Sequence, residues 1–216
     1  PLFAIDLTNP SAPAILGALK IPGYSDYLHP YDETHLIGFG KETVEVPVKG
    51  NSSNPTQTIA YYQGMKLSLF DVSDVSNPVE QFKTIIGDRG TDSELLRNHK
   101  ALLFSRQNNL LAFPVTVMTV ANKPGGAADS PSAYGQFTFQ GAYVYELDLT
   151  NGFRQKAAIT HMTDEQLRAA GTGWYNSERN VERILYIGDT LYTLSKQVIQ
   201  ANDMNSFQLK GSLQIP

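Results

Sequence analysis

A sequence motif that occurs four times along the chain indicates the fold, because each copy predicts a strand, a turn and a second strand. The four copies are LFAIDLTNPSAPAILGALKI (2–21), LSLFDVSDVSNPVEQFKTII (67–86), YVYELDLTNGFRQKAAIT (143–160) and VIQANDMNSFQLKGSLQI (198–215). An aspartate stands near the end of the first strand in every copy: Asp6, Asp71, Asp148 and Asp203. Its carboxylate can accept hydrogen bonds from backbone amides two or three residues later. We therefore expect these aspartates to form turns.

A second motif lies between these copies and predicts a β-hairpin, with two short strands around a polar turn. It occurs as YLHPYDETHLIGFG (27–40), ALLFSRQNNLLAFPV (101–115) and RILYIGDTLYTLS (183–195). Together the two motifs predict a half unit of two strands and then three full units of four antiparallel strands. We label the four strands of a full unit a, b, c and d. Successive units of this kind are the blades of a β-propeller, in which each twisted sheet packs on its neighbours.

The sequence thus predicts one all-β domain, a β-propeller fragment of about three and a half four-stranded antiparallel blades. The predicted half blade covers 1–23, and the full blades cover 24–87, 98–161 and 180–216. An incomplete series of blades leaves apolar faces uncovered. We therefore expect an open arc, or a dimer that buries the cut surface. The rest of a longer parent propeller is a further expected partner.

The long connections of this arrangement all leave from one face. The a–b and c–d turns are short, whereas the b–c connections 41–62 and 119–140 and the d–a connections 87–98 and 161–180 are long. We call the surface formed by these four segments the inserted face. Insertions confined to one face of a repeat protein typically form its binding surface. The alternative is that they cover the tops of the blades or contact a missing domain.

The insertions themselves are of two kinds. The d–a connections contain Thr91-Asp92-Ser93-Glu94 and Thr163-Asp164-Glu165-Gln166. Both match the capping box, in which a hydroxyl and a side chain three residues later satisfy free amides at a helix start. We therefore predict short helices there, and hairpin arms that extend strands b and c in the b–c connections.

Composition excludes several functions. The chain has 216 residues, 17 Lys and Arg, 21 Asp and Glu, and a formal net charge of −4, which argues against a nucleic-acid partner. Its apolar runs are far shorter than the roughly 20 residues that span a membrane. It has no cysteine, so thiol catalysis and thiolate metal sites are absent. The sequence lacks the common hydrolase, metalloprotease and nucleotide-binding motifs, and we assign no catalytic residue.

Aromatic side chains are the main resource for binding on the inserted face. Exposed Trp and Tyr stack on sugars and anchor protein interfaces. We predict that the ligand contacts Tyr61, Tyr62, Tyr134, Trp174 and Tyr175. The alternative for the Trp174-Tyr175 pair is a hydrophobic plug between blades.

An acidic cluster, Asp88, Asp92 and Glu94, is a candidate calcium site, since Ca²⁺ binds six to eight oxygens. The alternative is that these residues favour a helix N-terminus and that Arg89 neutralises one of them. No other cofactor is expected.

The four histidines are expected to be structural, with a metal or acid–base role as the alternative. His29 and His35 flank an a–b turn. His99 is expected to open strand a of the next blade, and His161 to close a strand d.

Four longer stretches resemble a family of bacterial and archaeal secreted proteins that carry a C-terminal β-propeller domain distantly related to WD-40 repeats. They are KIPGYSDYLHPYDETHLIGFGKET (20–43), QGMKLSLFDVSDVSNP (63–78), IGDRGTDSELLRNHKALLF (86–104) and ERILYIGDTLYTLS (182–195). The resemblance implies a propeller on an exported or surface-anchored protein that is longer than this chain. It implies no reaction.

These observations lead to one functional hypothesis and two alternatives. The hypothesis is a non-catalytic extracellular or cell-surface binding module that presents a loop-built face to a protein or a cell-envelope glycan. One alternative is a hydrolase acting on polysaccharide or peptide, with carboxylates such as Asp88, Asp92 or Glu178 in the cleft. The other is a purely structural spacer.

Overall fold

In a computed structural model, the chain folds into a series of antiparallel sheets. The structure describes residues 1–47, 57–120, 131–170 and 176–216. One two-stranded sheet is followed by three four-stranded sheets, and within each sheet the strands pair in chain order. The strands are β1 (Leu2–Asp6), β2 (Ala14–Leu19), β3 (Tyr24–Pro30), β4 (His35–Pro47), β5 (Thr58–Asp71), β6 (Val79–Ile86), β7 (Leu103–Ser105), β8 (Leu110–Thr119), β9 (Gln136–Asp148), β10 (Gly152–Ile159), β11 (Arg183–Ile187), β12 (Thr190–Leu194), β13 (Val198–Asp203) and β14 (Leu209–Gln214). The predicted all-β fold of four-stranded antiparallel blades is confirmed.

The four repeated aspartates form turns, as expected. Asp6 Oδ1 accepts a hydrogen bond from the Thr8 amide at 2.9 Å, and Asp71, Asp148 and Asp203 do the same two residues along. At the last turn, hydrogen bonds from backbone amides lower the pKa of Asp203 to about 2. Each c–d connection is therefore closed by its own carboxylate.

The core lies between the sheets, and β8 is at its centre. Nine consecutive residues of β8, 110–118, are buried. One face packs on the β3–β6 sheet, where the Phe39 and Phe113 ring centroids lie 6.0 Å apart in an edge-to-face contact. The other face, which includes Ala112, packs with Ile184 and Leu191 of the last sheet. The continuous apolar run in β8 follows from this burial on both sides.

The b–c connections form the predicted arms. Strands β4 and β5 stay paired beyond the blade as far as Pro47 and Thr58. Strands β8 and β9 stay paired as far as Thr119 and Gln136. The tips of these arms, which the sequence predicts at 50–55 and 122–126, lie outside the described residues.

The two predicted capping boxes have different outcomes. Helix α1 (Asp164–Ala169) begins at Thr163, and Thr163 and Gln166 form the full capping box. In the other connection a 3-10 helix, Glu94–Leu96, begins after Ser93, whose side chain accepts from the Leu95 amide, so the prediction that Thr91 caps it is wrong.

The reason is a backbone bridge that precedes the helix. Asp92 pairs with Thr116 of β8 through two hydrogen bonds of 2.9 and 2.8 Å, which keeps this backbone extended. The Thr91 hydroxyl meanwhile donates to the Met118 carbonyl and accepts from the Met118 amide. Because Thr91 and Asp92 are held by these contacts, the 3-10 helix begins beyond them, after Ser93.

The expectation that His99 opens strand a is also wrong. His99 lies in a second 3-10 helix, His99–Ala101, which begins at Asn98 because the Asn98 side chain accepts from the Lys100 amide. Strand a of this blade is β7, which has only three residues.

The last sheet buries one face and exposes the other. The buried face carries Ile184, Leu191 and Val198. The opposite face exposes Ile187 and Leu213, at 68% and 62% of their surface. At the other end of the series, in β1, the exposed hydrophobic residues are Phe3 and Ile5. Exposed apolar faces of this kind favour association.

We expect the isolated chain to self-associate through these faces. Its molar mass in multi-angle light scattering should rise above 23.8 kDa with concentration. Substituting both Ile187→Lys and Leu213→Lys should restore a monomer, because a charge desolvated at the interface opposes association. The control Ile59→Lys, on the inserted face, should leave the mass unchanged. A concentration-independent monomer for the unmodified chain would contradict this expectation.

Candidate binding site

Two insertions from successive blades meet on the inserted face. Tyr61 and Tyr62 lie on β5 in the first arm, and Tyr134 lies just before β9 in the second. Tyr62 and Tyr134 expose 40% and 60% of their surface, and their hydroxyl oxygens are 3.1 Å apart. The structure therefore brings together three of the five predicted ligand-binding residues. The other two, Trp174 and Tyr175, lie outside the described residues.

Arg89 lies at the centre of these tyrosines. Its guanidinium carbon is 4.4 Å from the ring centroid of Tyr134, 4.9 Å from that of Tyr62 and 5.4 Å from that of Tyr61. Contacts of this length are cation–π interactions. Arg89 Nη2 also donates to the Tyr134 hydroxyl at 3.3 Å. We call these four residues the Arg89–tyrosine cluster.

The two exposed hydroxyls of the cluster are hydrogen-bonded to each other, and either of them can be the donor. The hydrogen bonds with Tyr62 and Arg89 lower the pKa of Tyr134, whereas the hydrogen bond with Tyr134 raises the pKa of Tyr62. The pair therefore presents a hydroxyl donor and a hydroxyl acceptor next to the guanidinium of Arg89.

Backbone contacts hold the segment that carries Arg89 against the second arm. The Gly135 amide donates to the Arg89 carbonyl at 2.8 Å. On either side of Arg89, the Asp88 amide donates to the Met118 carbonyl at 2.7 Å, and the Thr91 hydroxyl bonds the same residue. These contacts fix the backbone of the segment that carries Arg89.

The sequence indicates for Arg89 only the role of a counter-ion to the acidic cluster, and its place among the tyrosines was not predicted. In the structure the Arg97 guanidinium takes that role, with Nη2 2.7 Å from Asp92 Oδ2, and Lys41 Nζ lies 3.4 Å from Asp92 Oδ1. Burial alone would raise the pKa of Asp92, but these two cations hold it below its ordinary value. Nothing in the sequence pattern distinguishes Arg89 from Arg97.

The carboxylates proposed for calcium have separate partners. Asp92 is paired with Arg97 and Lys41, Asp88 Oδ2 accepts from the Val120 amide at 2.8 Å, and Glu94 Oε1 accepts from Asn98. Within the ranges that the structure describes, no three histidine or acidic side chains group so that they could hold a metal ion. The calcium site stays a prediction.

The carboxylates of the hydrolase alternative are also spread over different contacts. Glu178 accepts from the Gln197 side chain at 3.5 Å, next to the start of β13. Asp88 contacts the end of β8, and Asp92 forms the ion pairs described above. The catalytic interpretation gains no support from these contacts.

A polar cavity of about 310 Å³ lies between β8 and the start of β11. Asp92 and Arg97 form part of its wall, where they pair with each other. Gln140 closes another side by donating to the Val181 carbonyl and accepting from its amide, at 3.0 and 2.9 Å. These polar groups join the two blades.

His161 is buried and serves the fold, as expected of a structural histidine. Its Nδ1 lies 3.0 Å from Ser195 Oγ and its Nε2 lies 2.7 Å from Thr193 Oγ1. Burial, together with the charge of Arg179, lowers the pKa of His161 to about 4. The neutral imidazole therefore links the end of β10 to the last sheet.

Folding stability should fall as the pH is lowered from 6.5 to 4, because the unfolded chain takes up a proton that folded His161 refuses. The loss should be on the order of 2–3 kcal/mol after allowance for partial solvation. Urea unfolding of the wild type and of His161→Gln should show a stability difference that shrinks over this pH range. His99→Gln, which removes an exposed histidine, is the control. Parallel pH profiles for the wild type and His161→Gln would contradict the assignment.

The series of four-stranded antiparallel sheets, with its long connections on one side, is a β-propeller-type scaffold. The family described as Beta propeller domain matches residues 1–207, and the chain belongs to this family. None of the helices in the described ranges is long and apolar enough to cross a membrane.

Two similar proteins are archaeal, and both are described as uncharacterised. One, from Archaeoglobus fulgidus, is 29% identical over 215 residues, which cover 100% of this chain and 24% of that protein. The other, from Methanocaldococcus jannaschii, is 29% identical over 211 residues, which cover 97% of this chain and 24% of that protein. The chain thus spans about a quarter of the length of these relatives.

Proposed function

We propose that this chain is a non-catalytic binding module, and that its inserted face binds a protein or a cell-envelope glycan. The observation that supports the proposal is the Arg89–tyrosine cluster, because residues from two blades and three connections form it at the surface. Membership of a β-propeller family agrees with a binding or structural module.

The composition and order of the cluster suit binding. Tyrosine and arginine are enriched among the residues that carry most of the energy of an interface. The three rings are already packed around Arg89, and the hydrogen bonds of Gly135 and Thr91 hold the two connections together. A ligand would therefore lose little free energy to ordering of the site.

The setting that we propose is outside the cell or on its surface, and it rests on the resemblance to secreted propeller proteins with WD-40-like repeats. The rest of a longer parent propeller is the partner that we propose for the exposed end faces, since the matched relatives are about four times longer. Detection of the parent protein in the envelope fraction or the culture medium would test the setting.

We expect that substituting both Tyr62→Ala and Tyr134→Ala will reduce retention of the chain on its target by about tenfold or more, because the two exposed rings supply most of the contact surface. The measurement is retention on immobilised envelope polysaccharide and on immobilised envelope protein, with circular dichroism to confirm folding. Tyr186→Ala is the matched control, since Tyr186 is an exposed tyrosine near the turn between β11 and β12, on the opposite face.

Equal retention of the double variant and the wild type would contradict this role for the cluster. Failure of the wild type to bind either fraction would favour the structural spacer.

A further inference from the structure

The positive charge of Arg89 has no carboxylate partner among the described residues. The ion pairs among the residues that the structure describes involve other cations, including Arg97 and Lys41. Arg89 Nε and Nη1 are shielded from solvent and have no hydrogen-bond partner within those residues. The aromatic rings hold the guanidinium in place, and none of the described carboxylates pairs with its charge.

Buried polar groups without partners are rare in proteins and call for an explanation. The two nitrogens of Arg89 that have no partner in the described ranges lie within the cluster, and its third nitrogen, Nη2, donates to Tyr134. Next to this nitrogen are two exposed hydroxyls, those of Tyr62 and Tyr134, which are 3.1 Å apart. The surface of the cluster therefore combines two phenolic hydroxyls with a positive charge that is paired with no described carboxylate.

This combination selects an anion. A carboxylate can accept from several donors at once, and charge-assisted hydrogen bonds are about twice as strong as neutral ones. A carboxylate placed at the two hydroxyls would replace the bond between Tyr62 and Tyr134 and would neutralise Arg89. A cationic ligand is disfavoured, because Arg89 already occupies the space between the rings.

The described residues around the cluster favour a sugar over a protein as the ligand that carries this carboxylate. Among the described residues of 41–62, 87–98, 119–140 and 161–180, the large exposed hydrophobic side chains are those of Ile59, Tyr62 and Tyr134. A protein interface usually has a larger apolar core than this. Sugars are bound instead by a few aromatic rings and by hydrogen-bond donors to their hydroxyl and carboxyl groups.

We infer that the Arg89–tyrosine cluster binds the carboxylate of an acidic glycan of the uronic-acid class. This inference rests on the proposed binding function and narrows its ligand.

The test is isothermal titration of the 216-residue chain with three probes: an oligomer of galacturonic acid, the matching neutral oligomer of galactose, and a short polyglutamate peptide. The wild type should bind the galacturonate oligomer and not the neutral one, and the affinity should fall as salt screens the charge. Arg89→Gln should weaken this binding by about tenfold or more, because a charge-assisted hydrogen bond is lost. Arg89→Lys should restore it in part.

Two further variants separate the role of Arg89 from folding and from general charge. Substituting both Tyr62→Phe and Tyr134→Phe keeps the rings and removes the hydroxyls, and it should weaken galacturonate binding. Arg168→Gln removes an exposed arginine of α1 on the same face, and it should leave binding unchanged.

The remaining outcomes of these titrations would contradict the inference. Equal binding of the neutral and acidic oligomers, or no effect of Arg89→Gln, would overturn the inference. Binding of the peptide in place of the galacturonate would overturn the glycan assignment. If neither acidic probe binds while retention on an envelope fraction still depends on Tyr62 and Tyr134, the inference fails and the proposed function stands.

Discussion

The β7–β10 sheet is buried on both faces, and this burial sets the positions of the neighbouring sheets and of their connections. Residues 110–118 of β8 are buried without interruption, which requires a sheet on either side. With three four-stranded sheets packed in series and each sheet a simple antiparallel meander, every b–c and d–a connection must leave from the same edge. The two arms and the connection that carries Arg89 are neighbours because of this packing, although they are far apart in sequence.

The local order of the site depends on a second constraint, the close approach of the d–a connection to the end of β8. Gly87 has a φ of 59°, and a Cβ added there would lie 2.2 Å from Thr91 Oγ1 and 2.8 Å from the Met118 carbonyl oxygen. Only glycine fits this turn without a clash. The turn allows Thr91 and Asp92 to form hydrogen bonds with β8. Because of these contacts the 3-10 helix begins only after Ser93, and the backbone of Arg89 is held in place.

The sequence predicts the strands and turns of this chain well because their causes are local or periodic. The repeated aspartate indicates a turn, because its own side chain forms the hydrogen bonds of that turn. The alternation of apolar residues indicates which face of a sheet is buried. The cap at Ser93 and the place of His99 depend on pairing with β8 and on a local 3-10 turn, which the capping-box pattern does not contain. The place of the tyrosines on the inserted face could be predicted from the connections that carry them. Their assembly around Arg89 could not, because it joins 61–62, 89 and 134 through tertiary packing alone.

That assembly also bears on the choice between a binding module and a spacer. If the cluster only filled space between two arms, an apolar side chain in place of Arg89 would pack the three rings and leave no donor unbonded. Arg89 instead leaves two nitrogens without a hydrogen-bond partner among the described residues, and an unsatisfied polar group is unfavourable in a folded chain. Sites that break a local rule within an otherwise consistent fold are typically functional. This exception is the reason for which we propose a binding module in preference to a spacer.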